Sequence, residues 1–119
     1  MSKYLVIKEL IETIKVYNLK GWSPATSTNY SFIDENKQMW ISRSGIDKRL
    51  ISENDFIPID INGHVIGGEL AFNPSAETLI HTSIYKLFPE ANVILHSHGL
   101  YPVMLSSINK NYFKFEGIE

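Results

Sequence analysis

Asn92-Val-Ile-Leu-His-Ser-His98 reads as a short apolar strand that ends in two histidines spaced two apart. Val93, Ile94 and Leu95 suit a buried strand, and residues two apart on a strand point to one face, so His96 and His98 are expected to project side by side. That is the geometry of two legs of a metal site. Two imidazoles can grip a divalent cation such as Zn²⁺ and leave its other positions to protein groups, water or substrate. The same pair is compatible with a strand end whose histidines are polar caps in solvent. The neighbouring segments decide between the two.

Upstream, Asn73-Pro-Ser75 has the composition of a helix start, with Asn or Ser as cap and Pro in the first turn. The helix is expected to run through Ala76 to about Phe88, to bury Leu79, Ile80, Ile84 and Leu87, and to stop at Pro89. Glu77 and His81 lie four apart on it and share a face. Further back, Phe56 to Ile61, Asn62-Gly63 and His64 to Ile66 form a hairpin pattern, with Pro58 suited to an edge and His64 expected in solvent. Tyr30 to Ile33, the turn Asp34 to Lys37, and Gln38 to Arg43 form another. The chain opens with an amphipathic helix from Tyr4 to Leu19 whose apolar stripe includes Leu5, Val6, Ile7, Leu10, Ile11, Ile14 and Tyr17, with Gly21 just past its end. Beyond the histidines, residues 99–108 read as a helix and 110–115 as a strand.

The 119 residues suffice for one domain with one core, and 44% hydrophobic and 20% charged residues describe a globular chain. Formal charge is −2, and the eleven Lys and Arg are scattered, so neither nucleic acid nor a membrane is an expected partner. An absence of cysteine leaves only His, carboxylate, carbonyl or water as metal ligands. The charged N-terminal residues lack the pattern of a signal peptide, and no apolar run approaches a membrane span, so the expected location is cytoplasmic.

Five segments, Trp22-Ser-Pro-Ala-Thr-Ser-Thr-Asn-Tyr-Ser31, Ser44-Gly-Ile-Asp-Lys48, Asp55-Phe56, Pro74-Ser-Ala-Glu-Thr78 and His96-Ser-His98, occur in an order and spacing that resemble the class II aldolase/adducin-like family. Within it they look most like the branch of bacterial methylthioribulose-1-phosphate dehydratases of methionine salvage. The resemblance implies an α/β fold, a three-layer α/β/α sandwich around a largely antiparallel sheet, and a zinc-dependent lyase acting on a small phosphorylated sugar. It implies a homo-oligomer as partner state, tetrameric in relatives, with sites near subunit interfaces. By the same resemblance His96 and His98 match two of three zinc histidines, and Asn29, Ser44, Gly45 and Ser75 match positions that hold the substrate phosphate. Glu77 matches the acid/base carboxylate of the aldolases, and Glu119 the proton-transfer glutamate of the dehydratases.

The chain departs from the family in two ways. Thr28 stands where the phosphate loop has Gly, which puts the close backbone approach of that loop in question. Relatives also continue beyond the position of Glu119 and carry the third zinc histidine there. Neither His64 nor His81 lies in a motif matching it, so a truncated member is expected, completed by another subunit or a separate C-terminal chain. Rival expectations are an aldolase or epimerase on another sugar phosphate, with Glu77 as principal acid/base, and an inactive remnant or interaction module. Truncation also predicts residues near Leu95, Val103 and Leu105 more exposed than their types suggest.

Overall fold

A computed structural model describes residues 2–67, 73–108 and 111–112. The expected strand over 110–115 and the Glu119 site fall largely or wholly outside these residues. Helix α1, Lys3–Leu19, is capped by Ser2, whose hydroxyl accepts from the Leu5 backbone N–H, and it buries Ile7, Leu10 and Ile14 as its periodicity predicts. Strands β1 (Asn29–Ile33), β2 (Met39–Ser42), β3 (Phe56–Ile59) and β4 (Val93–His96) form one antiparallel sheet in the order β3-β2-β1-β4. Helix α2 is Thr78–Leu87 and α3 is Leu100–Ser106.

Alternation along β1 divides the core in two. Tyr30 and Phe32 pack with Ile7, Leu10, Ile14 and Phe56 beneath α1, whereas Met39, Ile41, Ile59 and Tyr85 pack on the opposite face beneath α2. The sheet is thus covered by a helix on each side, the three-layer arrangement. Burying a residue such as Ile14 or Ile41, both fully enclosed, contributes about 1.5–3 kcal/mol.

The β1–β2 turn is organised by Asp34. Its Oδ1 accepts from the backbone N–H of Asn36 and Gln38, and its Oδ2 accepts from the Trp40 indole. At Asn62-Gly63 the turn forms, with Gly63 at φ +82° and Asp60 accepting from the backbone of Asn62 and His64. Its second arm is only the isolated bridge Ile59↔Val65, so the second hairpin is shorter than expected. Pro58 lies on an edge strand and His64 is exposed, both as expected.

Three expectations are corrected. First, β4 is not a buried strand: among the described residues it pairs on one side only, with β1, and Val93 and Leu95 remain 44% and 39% exposed. Second, α2 begins at Thr78 with Glu77 at its N-cap, two to four residues later than its sequence signal, because Pro74 forms a bridge with Arg43 and Ser75 forms a turn instead. Third, α2 buries Thr78, His81, Thr82 and Tyr85, while Leu79, Ile80 and Leu87 face solvent and Ile84 is half-buried. The physical reason is that Asn29 and Ser31 on the underlying sheet face offer hydrogen bonds that only the polar stripe of the helix can meet. Helix α3 buries no residue, and Val103 and Leu105 are exposed as expected. Among the described residues no helix is long and apolar enough to cross a membrane.

Candidate active site

Asn29 and His96 oppose each other across β1 and β4, so both side chains stand on the face that α2 covers. His98 lies two residues further on, its backbone N–H donating to the Trp22 carbonyl at 2.7 Å, and its ring centre sits 4.9 Å from that of His96. Glu77 occupies the N-cap position of α2, and its Oε2 is 2.8 Å from His96 Nδ1. The cross-strand pair and the helix start therefore place His96, His98, Asn29 and Glu77 together.

A line of hydrogen bonds runs from this group into the core. Asn29 Nδ2 donates to Glu77 Oε2, and Asn29 Oδ1 meets His81 Nε2 at 2.5 Å. His81 Nδ1 meets Ser31 Oγ at 2.7 Å, and Ser31 Oγ meets the Tyr85 hydroxyl at 2.8 Å. An ionised carboxylate only accepts, which fixes the sense of every bond in the line. The Asn29 amide must turn its NH₂ toward Glu77, so its oxygen accepts from His81 Nε2–H. His81 Nδ1 then accepts from Ser31, and Ser31 accepts from Tyr85. His96 Nδ1 also faces only acceptors, Glu77 Oε2 and Asn29 Oδ1 at 3.2 Å, so a proton sits on Nδ1 and Nε2 is the ring nitrogen outside this network.

Titration follows from these contacts. The Asn29 bond, with His96 nearby, holds the Glu77 carboxyl below the usual carboxylate range against the opposing effect of burial. Burial, reinforced by the neighbouring His96, lowers His81 to about 4, so it is neutral at pH 7. Burial pushes the Tyr85 hydroxyl up to about 12, so it remains a donor.

Beside this group an open pocket of about 380 Å³ is lined by Thr26 to Asn29, Arg43 to Gly45, Lys48, Ser75 to Glu77, and His98. It joins all four phosphate positions expected from the sequence, and it borders one of the two histidines. Gly45 at φ +75° makes the loop turn, and the Ser44 N–H donates to the Asn73 carbonyl, which draws this loop against the one preceding α2. Ser44 therefore offers its hydroxyl and not its N–H. Asn29 spends most of its amide on Glu77, His81 and His96, a positioning role the sequence did not suggest. Thr28 does not adopt a positive φ, and its hydroxyl is buried with no partner.

His98 Nε2 is likewise buried and unpartnered, its ring beside that of His96, and this pair of imidazoles fits a metal ion. Among the described residues no group of three or more His, Cys, Asp or Glu is arranged to hold one, so the pair would supply at most two ligands from these residues. Sequence reasoning missed Lys48, Arg43 and the role of His81. The signal for His81 was present in its i, i+4 relation to Glu77, and that for Lys48 in its place three residues after Gly45.

The class II aldolase and adducin N-terminal domain matches residues 8–116. A methylthioribulose-1-phosphate dehydratase from Picosynechococcus sp. is 42% identical over 114 residues, covering 94% of this chain and 54% of that protein. One from Cronobacter sakazakii is 39% identical, covering 93% and 53%. Among solved structures, an L-fuculose 1-phosphate aldolase superposes with a TM-score of 0.72 at 35% identity, covering 85% of this chain and 47% of that one. The chain thus spans about half the length of the relatives it matches. With its three-layer fold and a domain match over most of its length, it belongs to the class II aldolase and adducin family.

Proposed function

We propose that this chain provides the metal-binding and phosphate-binding part of a zinc-dependent hydro-lyase that dehydrates 5-methylthioribulose 1-phosphate to the 2,3-diketo-5-methylthiopentyl phosphate, in methionine salvage. The observation that carries the reading is the junction of the His96–Glu77–Asn29 cluster with a pocket containing Ser44, Gly45 and Ser75. Similarity to dehydratases bearing that name supports the substrate.

His96 and His98 would hold zinc, which when bound supplies Lewis-acid polarisation of the substrate carbonyl. Hydroxyls of Ser44 and Ser75 and the Gly45 backbone anchor the phosphate, fixing the distance from C1 to the reacting carbons. The reaction removes a proton from C3 and the hydroxyl from C4, forms the C3–C4 double bond, and yields an enol that becomes the diketone. Glu119 serves as the proton-transfer group, taking the C3 proton and returning one to the departing hydroxyl. Glu77, kept ionised by Asn29, orients the substrate and shares the proton work. A histidine from another subunit or a complementing C-terminal chain completes the ligand set, and the working form is an oligomer in the cytoplasm.

Close contact between Glu77 and His96 also favours a second reading, an aldolase or epimerase on another sugar phosphate with Glu77 as principal acid/base. The test is a coupled assay for the diketone, at fixed zinc, with and without the C-terminal portion of a relative supplied in trans or by fusion. Diketone formation that depends on that portion is expected. Turnover of fuculose or ribulose phosphates, with none of methylthioribulose 1-phosphate, would favour the second reading.

A further inference from the structure

Lys48 is 1% exposed, yet it lines the pocket beside Ser44, Gly45 and Ser75. Its Nζ donates to the Ile46 carbonyl at 3.1 Å, which uses one of three N–H groups. Among the described residues no carboxylate lies within ion-pair distance. Asp47 is engaged by the Arg49 guanidinium and backbone, and Asp55 by Arg43 and Ser52. A buried ammonium without a counter-ion is costly, and proteins retain one where a ligand supplies the opposite charge. Burial holds Lys48 below the usual lysine range, with Asp47 opposing, as expected for a cation awaiting a partner. Independently, Thr28 in the same pocket is 2% exposed, and its hydroxyl has no hydrogen-bond partner. A buried ammonium with a single hydrogen bond and a buried hydroxyl with none thus line one cavity.

We infer that Lys48, with the Thr28 hydroxyl, forms the charge-neutralising floor of the phosphate pocket, so that this chain binds a phosphate dianion through a buried lysine as well as through loop hydroxyls and backbone. The inference rests on the phosphate-pocket reading above and extends it. It also gives Thr28 a purpose: where a glycine would let backbone approach the anion, threonine offers an O–H donor instead. The positive charge makes the site selective for a doubly charged phosphoryl group over a neutral sugar, and the enclosed position makes it less sensitive to salt than a surface lysine.

The test uses the 119-residue chain with inorganic phosphate as probe, and potassium chloride at matched ionic strength as control. Wild type should melt at higher temperature in phosphate than in chloride, and calorimetric titration should show saturable binding. Lys48→Met should lose at least tenfold in phosphate affinity while melting, without phosphate, no lower than wild type. Thr28→Val should lose about threefold to tenfold, also without loss of melting temperature, and it serves if Lys48→Met fails to fold. A structural lysine predicts the reverse: a lower melting temperature and undiminished phosphate binding. That result, or a wild type that responds no more to phosphate than to chloride, overturns the inference. Lys48-dependent binding in a protein that never yields diketone would leave the inference standing and defeat the dehydratase reading; turnover with phosphate affinity intact in Lys48→Met would do the opposite.

Discussion

His81 does not line the pocket itself, but it holds the amide of Asn29, which does. Its folded pKa, about 4, is below the unfolded value near 6.5, so folding favours the neutral ring. The associated stability is complete above the unfolded pKa and is lost as the pH falls from about 6.5 toward 4, since the unfolded chain binds a proton that the folded one refuses. The stability at stake is about 3 kcal/mol at most, because each tenfold difference in proton affinity between the two states is worth about 1.4 kcal/mol. Urea denaturation of the metal-free chain should therefore weaken across this window, and His81→Gln should flatten that part of the profile. Parallel profiles for both proteins would show that His81 is not held neutral. At the reacting end, Glu77→Gln should leave the fold intact and lower turnover of the completed enzyme by about 10²–10⁴-fold, the usual worth of positioned proton transfer. A variant at wild-type rate would remove Glu77 from the chemistry.

Helix α2 shows where sequence reading succeeded and where it could not. Its existence and its stop near Pro89 follow from caps and spacing, and the approach of Glu77 to the histidines from the family resemblance. Its buried face does not, because the apolar stripe of Leu79, Ile80 and Leu87 was a reasonable choice for any helix lying on an apolar sheet. The choice was reversed by Asn29 and Ser31, whose inward direction depends on the register of β1 against β4, a long-range pairing invisible in local sequence. Likewise the position of β4 at an edge, and the enclosure of Lys48, depend on packing between distant segments. Stability should follow the observed face. Tyr85→Phe, which takes the donor from Ser31, should cost about 1–2 kcal/mol, whereas Leu87→Lys should change stability by less than about 0.5 kcal/mol. Chemical denaturation of the two variants checks this, and a larger loss for Leu87→Lys would mean that the apolar stripe is the packed one.

For the whole molecule, the apolar side chains left in solvent are concentrated on the outer surface of α2, on β4 and along α3, where Leu79, Ile80, Leu87, Val93, Leu95, Val103 and Leu105 are all at least 39% exposed. Light scattering across a range of concentrations should show self-association of the isolated chain; a sharply eluting monomer with a cooperative melt would contradict this. The strand that carries His96 is also, among the described residues, an edge strand of the sheet. Any segment that zips onto β4 would stiffen the support of a metal ligand, and metal bound there would in turn stiffen the strand to be zipped. Thermodynamic reciprocity then requires zinc and the completing segment to raise each other's affinity by the same factor, so that metal availability would govern assembly and assembly would govern metal retention. Dissociation constants measured around that cycle, zinc with and without the segment and the segment with and without zinc, should give a ratio well above one; a ratio of one would mean that the edge strand and the histidine on it are energetically strangers.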